Sequence, residues 1–268
     1  MTNESGTAAD NPLVMAGGPV AELFLNAPDR KNALPLAAWQ RFPEALRKIE
    51  KKSETRVLIV RGTGGKAFCA GADISEFEAI RSTPEAAKRY DEINVAAFKA
   101  LKSLSIPVIA AIEGPCLGGG LGLALACDIR IAEPGAFFGI PAARLGLAYP
   151  PEALSDLLEA VSPSNAKQIL FGAQRLTAEH ALRIGLIDEV TEPGQLEARV
   201  LALSSTLCAN APLSLKAAKH AVNLLSRAEA GTGLHEALAN ADACIDSADY
   251  REGCRAFLEK RQPAFKGR

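Results

Sequence analysis

A run of glycines between two apolar segments constrains this chain more than any other feature. Residues 108–112 (VIAAI) and 121–127 (LGLALAC) are apolar, and residues 118–120 are all glycine. This order predicts a buried strand, a tight turn and a helix. The start of a helix presents backbone N–H groups without intrahelical partners, and glycine lets a ligand approach them closely. The segment therefore predicts a site for a negatively charged oxygen, although its first helical turn carries no acid and no base.

The overall composition predicts a globular protein and excludes several classes of partner. Of 268 residues, 48% are hydrophobic and 23% are charged, and the formal net charge is −1. This balance gives no general attraction to nucleic acid or to a membrane surface. No apolar run is long enough to span a bilayer, and the polar residues 1–10 lack the pattern of a signal peptide. We therefore expect a cytoplasmic protein that binds neither nucleic acid nor membrane.

The six cysteines and three histidines predict no metal site. No two cysteines form a C-x-x-C pair, and no histidine lies at a metal-ligand spacing from a cysteine or a carboxylate. We expect buried, free thiols of a reducing compartment, and histidines that are structural or solvent-exposed.

The first half of the chain alternates between strand-like and helix-like segments, whereas the second half is mainly helical. Alternation of this kind is typical of an α/β protein with a largely parallel sheet. We place a boundary between a core of residues 1–195 and a helical region of residues 196–268. The predicted strands cover residues 20–26, 56–61, 108–112, 128–132 and 187–190. The predicted helices cover residues 36–51, 85–103, 121–127, 152–160, 164–171, 178–184, 195–209, 213–227, 234–245 and 250–262.

A second glycine-containing turn, residues 67–74 (AFCAGADI), follows the predicted strand at residues 56–61. Two backbone N–H groups from two such turns would form an oxyanion hole if they converged on one point. The alternative for residues 118–120 is close packing of a strand against a helix. The sequence by itself leaves both interpretations open.

Six segments of the chain resemble the crotonase (enoyl-CoA hydratase/isomerase) superfamily, in the family's order. The resemblance implies a crotonase-like spiral of ββα units with a helical C-terminal region. It implies assembly as a homotrimer or a dimer of trimers, with residues 196–268 as the trimerisation region. The matching segments are NAPDRKNAL (26–34), AFCAGADISEF (67–77), AIEGPCLGGGLGLALACDIRIA (111–132), GIPAARLGL (139–147), LTAEHALRIGLIDEV (176–190) and AFLEKRQPAF (256–265).

The shared chemistry of this superfamily implies an acyl-CoA substrate whose thioester enolate is stabilised by the protein. By position, the N–H groups of Ala72 and Gly119 would form the oxyanion hole. Coenzyme A would enter as part of the substrate, and no permanently bound cofactor is expected. Because the donors are backbone groups, an alanine and a glycine suffice.

The resemblance also implies a binding site for coenzyme A. Ala70 and Ile74 would border the adenine, and Arg30 and Lys31 would meet phosphates. Phe257 and Lys260 of a neighbouring subunit would close over the nucleotide. The alternative for Lys260 is a solvated helix end, which the helix dipole favours.

The chain departs from the family where hydratases carry two catalytic glutamates, because it has Gly122 and Ala142 there. Neither residue can transfer a proton. Glu152 and Tyr149 lie in the next loop and are the candidates to replace the missing acids. The alternatives are that Glu152 favours the first turn of a helix and that Tyr149 is a packing residue.

The sequence therefore predicts an enoyl-CoA hydratase/isomerase-family enzyme in which ordinary hydration is slow. The two enzymatic alternatives are Δ3-Δ2-enoyl-CoA isomerisation that uses Glu152 and acyl-CoA decarboxylation aided by Tyr149. An alternative of another class is a non-catalytic protein that binds acyl-CoA.

Overall fold

The computed structural model of the protein describes residues 12–52, 54–226 and 247–268. The six strands of its main sheet are β1 (Leu13–Ala16), β2 (Val20–Leu25), β3 (Val57–Gly62), β4 (Val108–Ile112), β6 (Ile129–Ala132) and β9 (Glu189–Val190). They lie in the order β1-β2-β3-β4-β6-β9. β1 is antiparallel to β2, and every other neighbouring pair is parallel.

The strands of a smaller sheet are β5 (Pro115–Leu117), β7 (Phe137–Gly139) and β8 (Leu176–Thr177). They lie in the order β5-β7-β8, with β5 parallel to β7 and β7 antiparallel to β8. The helices are α1 (Leu36–Glu50), α2 (Phe77–Ile80), α3 (Pro84–Lys102), α4 (Gly119–Leu125), α5 (Pro151–Ala160), α6 (Pro163–Gly172), α7 (Ala178–Arg183), α8 (Leu196–Ala209), α9 (Pro212–Leu225) and α10 (Ala248–Leu258).

The core covers both faces of the main sheet. On one face, α1 and α3 bury Trp39, Phe42 and Phe98 against the strands, and α4 packs beside them. On the other face, Leu196 and Val200 of α8 pack against β3, β4 and β6. Burying apolar area on both faces is what a mainly parallel sheet requires. The predicted boundary at Leu196 coincides with the start of α8 and stays a prediction.

The structure confirms the predicted ranges of the long helices and strands and corrects the prediction for the short ones. α1, α3, β4 and α8 agree with their predicted ranges to within one residue. The sequence prediction lacked α2 and four strands, namely β1, β5, β7 and β8. The predicted strand at residues 187–190 is only two residues long. The predicted helix at residues 234–245 lies outside the described residues. Among the described helices, none has the length and apolar character needed to cross a membrane.

Candidate active site

The two glycine-containing turns lie side by side because of the register between their preceding segments. Cys69 and Cys116 form a parallel β-bridge, in which Cys69 N donates to the Pro115 carbonyl at 3.0 Å. Three residues further along each segment come Ala72 and Gly119. The register of a parallel pair therefore brings these two residues to the same place.

Glycine at position 71 makes this close approach possible. Gly71 has a φ of +97°, and a Cβ on it would lie 2.8 Å from the Leu117 carbonyl oxygen and 3.1 Å from the Gly119 nitrogen. Gly118, which precedes α4, also has a positive φ, of +52°. Within the described part of the chain, neither Ala72 N–H nor Gly119 N–H donates a hydrogen bond to the protein. Two unused donors therefore lie close together in partly exposed backbone.

Both turns line a cavity of about 100 Å³. Its wall is mainly apolar, with a cluster of polar side chains on one side. The turns contribute Ala70, Gly71, Ala72, Ile74, Gly118 and Gly119; α2 and α3 contribute Phe77, Tyr90, Asp91, Asn94 and Phe98, with Arg81 between them; residues 140–150 contribute Ile140, Pro141, Ala142, Leu145, Leu147, Ala148, Tyr149 and Pro150. A larger groove of about 780 Å³ lies elsewhere, beside α9.

The space beside Gly122 is occupied by the ring of Phe98. A Cβ on Gly122 would lie 2.6 Å from Phe98 Cζ, so no larger residue fits without a shift of that ring. Phe98 is fixed by an edge-to-face contact with Trp39, with ring centroids 5.9 Å apart. Ala142 lines the cavity, but Gly122 does not. The cavity thus has an apolar wall where the family resemblance implies an acid.

Tyr149 points its hydroxyl into the protein interior. The side chain is half-buried and lines the cavity, while its hydroxyl oxygen is fully buried without a hydrogen-bond partner among the described residues. Burial raises the pKa of the Tyr149 hydroxyl well above its usual value. The hydroxyl therefore stays protonated at neutral pH and can donate a hydrogen bond.

Glu152 lies outside this cavity. It is exposed in the first turn of α5, where a carboxylate is favoured by the helix dipole. It lines the 780 Å³ groove and a neighbouring one of about 590 Å³ that also contains Pro150 and Pro151. The structure thus separates Glu152 from the turns that Tyr149 faces.

Four of the six residues predicted to meet coenzyme A form one surface next to the cavity. Ala70 N donates to the Lys31 carbonyl oxygen at 2.9 Å, and Ile74 is 54% exposed. Arg30 forms an ion pair with the buried carboxylate of Asp73. The Ser75 hydroxyl and Arg30 lower the pKa of Asp73. Arg30, Lys31, Ala70 and Ile74 therefore come together, as a shared role would require.

Phe257 and Lys260 lie in the C-terminal segment, apart from this surface. The Phe257 side chain is outside the described residues. Lys260 is exposed, just after α10. Further along, the Phe265 carbonyl oxygen accepts a hydrogen bond from Arg56, directly before β3. The two glycine turns instead follow the carboxyl ends of β3 and β4. In the described residues, no hydrogen bond or ion pair joins Lys260 to the predicted coenzyme A surface.

The thiols near the turns are buried and unreactive. Cys69, Cys116 and Cys127 are buried and free, and burial raises the pKa of the Cys69 thiol to about 12. The prediction of burial is wrong for Cys254, which is exposed, and holds only in part for Cys208, which is partly buried; Cys244 lies outside the described residues. No cluster of three or more His, Cys, Asp or Glu side chains suited to a metal ion occurs in the part of the chain that is described.

Sequence reasoning missed the polar cluster on the α3 side of the cavity. Arg81 and Asp91 form an ion pair at 2.5 Å, and the Arg81 guanidinium lies 5.0 Å from the Tyr90 ring centroid. Tyr90 and Asn94 are buried next to this pair. The signal available in the sequence was the spacing of Tyr90, Asn94 and Phe98 at i, i+4 and i+8, which places them on one helix face.

Comparisons with known proteins agree with this architecture. The family model described as Enoyl-CoA hydratase/isomerase matches residues 16–268. A short-chain-enoyl-CoA hydratase of Clostridium acetobutylicum is 34% identical over 97% of this chain and 99% of its own. A crotonyl-CoA hydratase of Syntrophomonas wolfei is 32% identical over 96% and 98%.

A solved structure has the same fold over nearly its whole length. The crystal structure of an enoyl-CoA hydratase/carnithine racemase from Magnetospirillum magneticum has a TM-score of 0.91 and 34% sequence identity, and the match covers 96% of each chain. The fold is therefore the crotonase fold, with its helical C-terminal region. The chain belongs to the enoyl-CoA hydratase/isomerase family of the crotonase superfamily.

Proposed function

We propose that the protein acts on an acyl-CoA thioester and stabilises its enolate with the N–H groups of Ala72 and Gly119. The observation that supports this proposal is the pair of adjacent amides that donate to no protein acceptor among the described residues. The thioester oxygen gains negative charge as the enolate forms, and preset donors stabilise that state more than the ground state. The names of the relatives support acyl-CoA as the substrate class.

Hydration of crotonyl-CoA is expected to be slow, although two relatives are named as hydratases. Addition of water to a double bond needs one group that takes a proton from water and one that gives a proton to carbon. Gly122 and Ala142 supply neither. Asp91 is the one carboxylic acid among the described residues that line the cavity, and it is paired with Arg81. Crotonyl-CoA hydration at the rate of an ordinary hydratase would overturn this part of the proposal.

The reaction that these groups support best needs a proton donor but no general base. In decarboxylation of an acyl-CoA, the bond from the α-carbon to the substrate's carboxylate breaks, carbon dioxide leaves, and the electron pair enters the enolate. Tyr149 is the candidate donor of the proton that the α-carbon then takes up, and its hydroxyl would have to turn from the protein interior into the cavity to deliver that proton and to recover one from solvent. Proton donation of this kind contributes about 10²–10⁴-fold to a rate.

Double-bond isomerisation is the competing reaction, because it needs a base that moves a proton between two carbons. Glu152 would have to turn from solvent into the cavity to do so. Tyr149→Phe and Glu152→Gln distinguish the two reactions. We expect Tyr149→Phe to lower decarboxylation by about 10²-fold or more. If Glu152→Gln loses isomerisation activity while Tyr149→Phe isomerises at the unchanged rate, the competing reaction is favoured.

A non-catalytic acyl-CoA-binding protein is the remaining alternative. A panel of acyl-CoA thioesters incubated with purified protein and followed by mass spectrometry separates this alternative from an enzyme. We expect turnover of at least one thioester. Tight binding of acyl-CoA with no turnover of any member of the panel would overturn the enzymatic proposal.

A further inference from the structure

Asn32 is a buried polar residue that connects three segments next to the candidate site. Its side chain is completely buried, and its backbone φ of +56° lies in the left-handed region, which asparagine tolerates better than most residues. Left-handed backbone at a residue other than glycine persists only where the surrounding structure fixes it, and such residues cluster at functional sites. In the segment NAPDRKNAL (26–34), the family resemblance implies a role only for Arg30 and Lys31.

All four hydrogen-bonding positions of the Asn32 side-chain amide are used. Its Oδ1 accepts from the Ala27 backbone N–H at 2.9 Å and from the Thr63 hydroxyl at 3.3 Å. Its Nδ2 donates to the carbonyl oxygen of Thr63 at 3.0 Å and to that of Ala67 at 2.7 Å. Thr63 directly follows β3, and Ala67 begins the turn that contains Ala72. The side chain therefore ties its own segment to the end of β3 and to the start of that turn.

The residues that follow in this segment run alongside the turn and hold the chain on both sides of Ala72. The Leu34 N–H donates to the Gly71 carbonyl oxygen at 2.8 Å, and the Leu34 carbonyl oxygen accepts from the Asp73 N–H at 3.0 Å. The indole N–H of Trp39 donates to the same Leu34 oxygen at 3.0 Å. The backbone groups that flank the Ala72 N–H are therefore fixed to one buried residue.

These bonds determine the direction of the Ala72 N–H. In a planar trans peptide, the carbonyl of one residue and the N–H of the next point in opposite directions. Because the Gly71 carbonyl points at Leu34, the Ala72 N–H points away from Leu34. Leu34 is buried and does not line the cavity, whereas Ala72 does. The bonds of Leu34 thus aim the donor that the proposed oxyanion hole uses.

We propose that Asn32 is a positioning residue, which holds its segment against the turn so that the Ala72 N–H stays aligned with the thioester oxygen. This inference rests on the proposed function, since it assumes that this oxygen lies between Ala72 and Gly119. Because Asn32 is completely buried, it acts through Leu34 and not by contact with the substrate. Hydrogen bonds weaken steeply as they bend, so a small rotation of the Ala72 peptide plane reduces stabilisation of the enolate.

The substitution Asn32→Gly removes the side-chain hydrogen bonds and keeps the left-handed backbone, which glycine adopts freely. Infrared difference spectroscopy reports the hydrogen bonds to the thioester oxygen without turnover, because each donor lowers the stretching frequency of the carbonyl. The probe is butyryl-CoA with a heavy carbon isotope at the thioester carbonyl. We expect the unsubstituted protein to lower this frequency relative to free butyryl-CoA, and Asn32→Gly to lower it less.

Kinetics and a matched control separate positioning from a general loss of stability. Asn32→Gly should lower kcat by about 10²-fold for a thioester turned over in the mass-spectrometry panel, while Kd for butyryl-CoA stays nearly unchanged. The control is Asp128→Ala at the other end of β4, where the carboxylate accepts from the Val108 N–H at 2.7 Å and from Lys219 at 2.8 Å. Both variants should melt at lower temperatures, but Asp128→Ala should keep the carbonyl frequency of the unsubstituted protein.

If Asn32→Gly fails to fold, Thr63→Val provides the second test, since it removes the hydroxyl that donates to Asn32 Oδ1. It should change the carbonyl frequency in the same direction by a smaller amount. A frequency that stays the same in the variants that fold, or that changes equally in Asp128→Ala, would overturn the inference alone. If butyryl-CoA does not bind to the unsubstituted protein, or binds with the carbonyl frequency of the free thioester, the proposed oxyanion hole itself fails.

Discussion

The Gly119 amide allows a direct test of the oxyanion hole at the scale of one residue. Gly119 is the first residue of α4, a position that proline tolerates because the N–H is not needed by the helix. Gly119→Pro removes the N–H and Gly119→Ala keeps it, while both add a Cβ about 3.1 Å from the Trp39 ring. We expect kcat of the proline variant to lie about 10²–10³-fold below that of the alanine variant.

Steady-state kinetics with a thioester turned over in the mass-spectrometry panel measures this ratio, and thermal unfolding verifies that both variants fold. The alanine variant accounts for the added Cβ beside Trp39, so the ratio reports the loss of the N–H together with the ring atoms that proline places on the nitrogen. Equal kcat values in the two variants would show that the Gly119 amide does not stabilise the transition state.

At the scale of single residues, the sequence predicts which backbone groups form the site better than it predicts which side chains surround them. The glycine motif and the family resemblance both indicate Ala72 and Gly119, and the Cys69–Cys116 register brings their turns together. Phe98 could not be assigned to the space beside Gly122, because it comes from a helix earlier in the chain. Periodicity shows which α3 residues share a face, but tertiary packing decides what that face meets.

At the scale of elements, the contact between α3 and α4 determines what the cavity can contain. Gly122→Ala would place a Cβ 2.6 Å from Phe98 Cζ. We expect this overpacking to destabilise the protein by about 1–3 kcal/mol more in the Phe98 background than in a Phe98→Leu background. The gain in helix propensity from glycine to alanine is the same in both backgrounds and cancels.

Urea unfolding at one fixed protein concentration measures the four stabilities of this double-mutant cycle, and the fixed concentration removes effects of assembly. Additive effects of the two substitutions would show that the Phe98 ring yields at no cost. The Gly122 position would then be able to accept a larger side chain, and the explanation of the apolar wall given above would fail.

Long elements could be predicted from the sequence because their apolar periodicity extends over many residues. α1 and α3 bury one continuous face, and β4 is apolar throughout. β5, β7 and β8 have only two or three residues, which is too short for an alternating pattern to be recognised. Because these strands form the sheet that Cys69 joins through its bridge to Cys116, the geometry of the site could not be predicted from the sequence.

At the scale of the whole molecule, the C-terminal region raises the question of assembly. The segment after α10 contacts Arg56 at the amino end of β3, whereas the predicted coenzyme A surface follows the carboxyl ends of the strands. Lys260 can serve the predicted coenzyme A site only if a neighbouring subunit supplies it. We therefore expect light scattering to give a mass three or six times that of the 28.2 kDa chain.

Lys260 then links assembly to affinity for the substrate. Lys260→Ala should weaken binding of an acyl-CoA by about tenfold, because a charge-assisted hydrogen bond to a phosphate is lost. Lys266→Ala is the matched control, since it removes the same charge from an exposed side chain six residues later.

Calorimetric titration measures both variants at protein concentrations above and below the concentration at which the subunits assemble. If Lys260 acts across a subunit interface, its substitution weakens binding only in the assembled protein. If Lys260→Ala weakens binding equally at both concentrations, the contact lies within one chain. If Lys260→Ala and Lys266→Ala weaken binding equally, Lys260 contributes only positive charge and no specific contact.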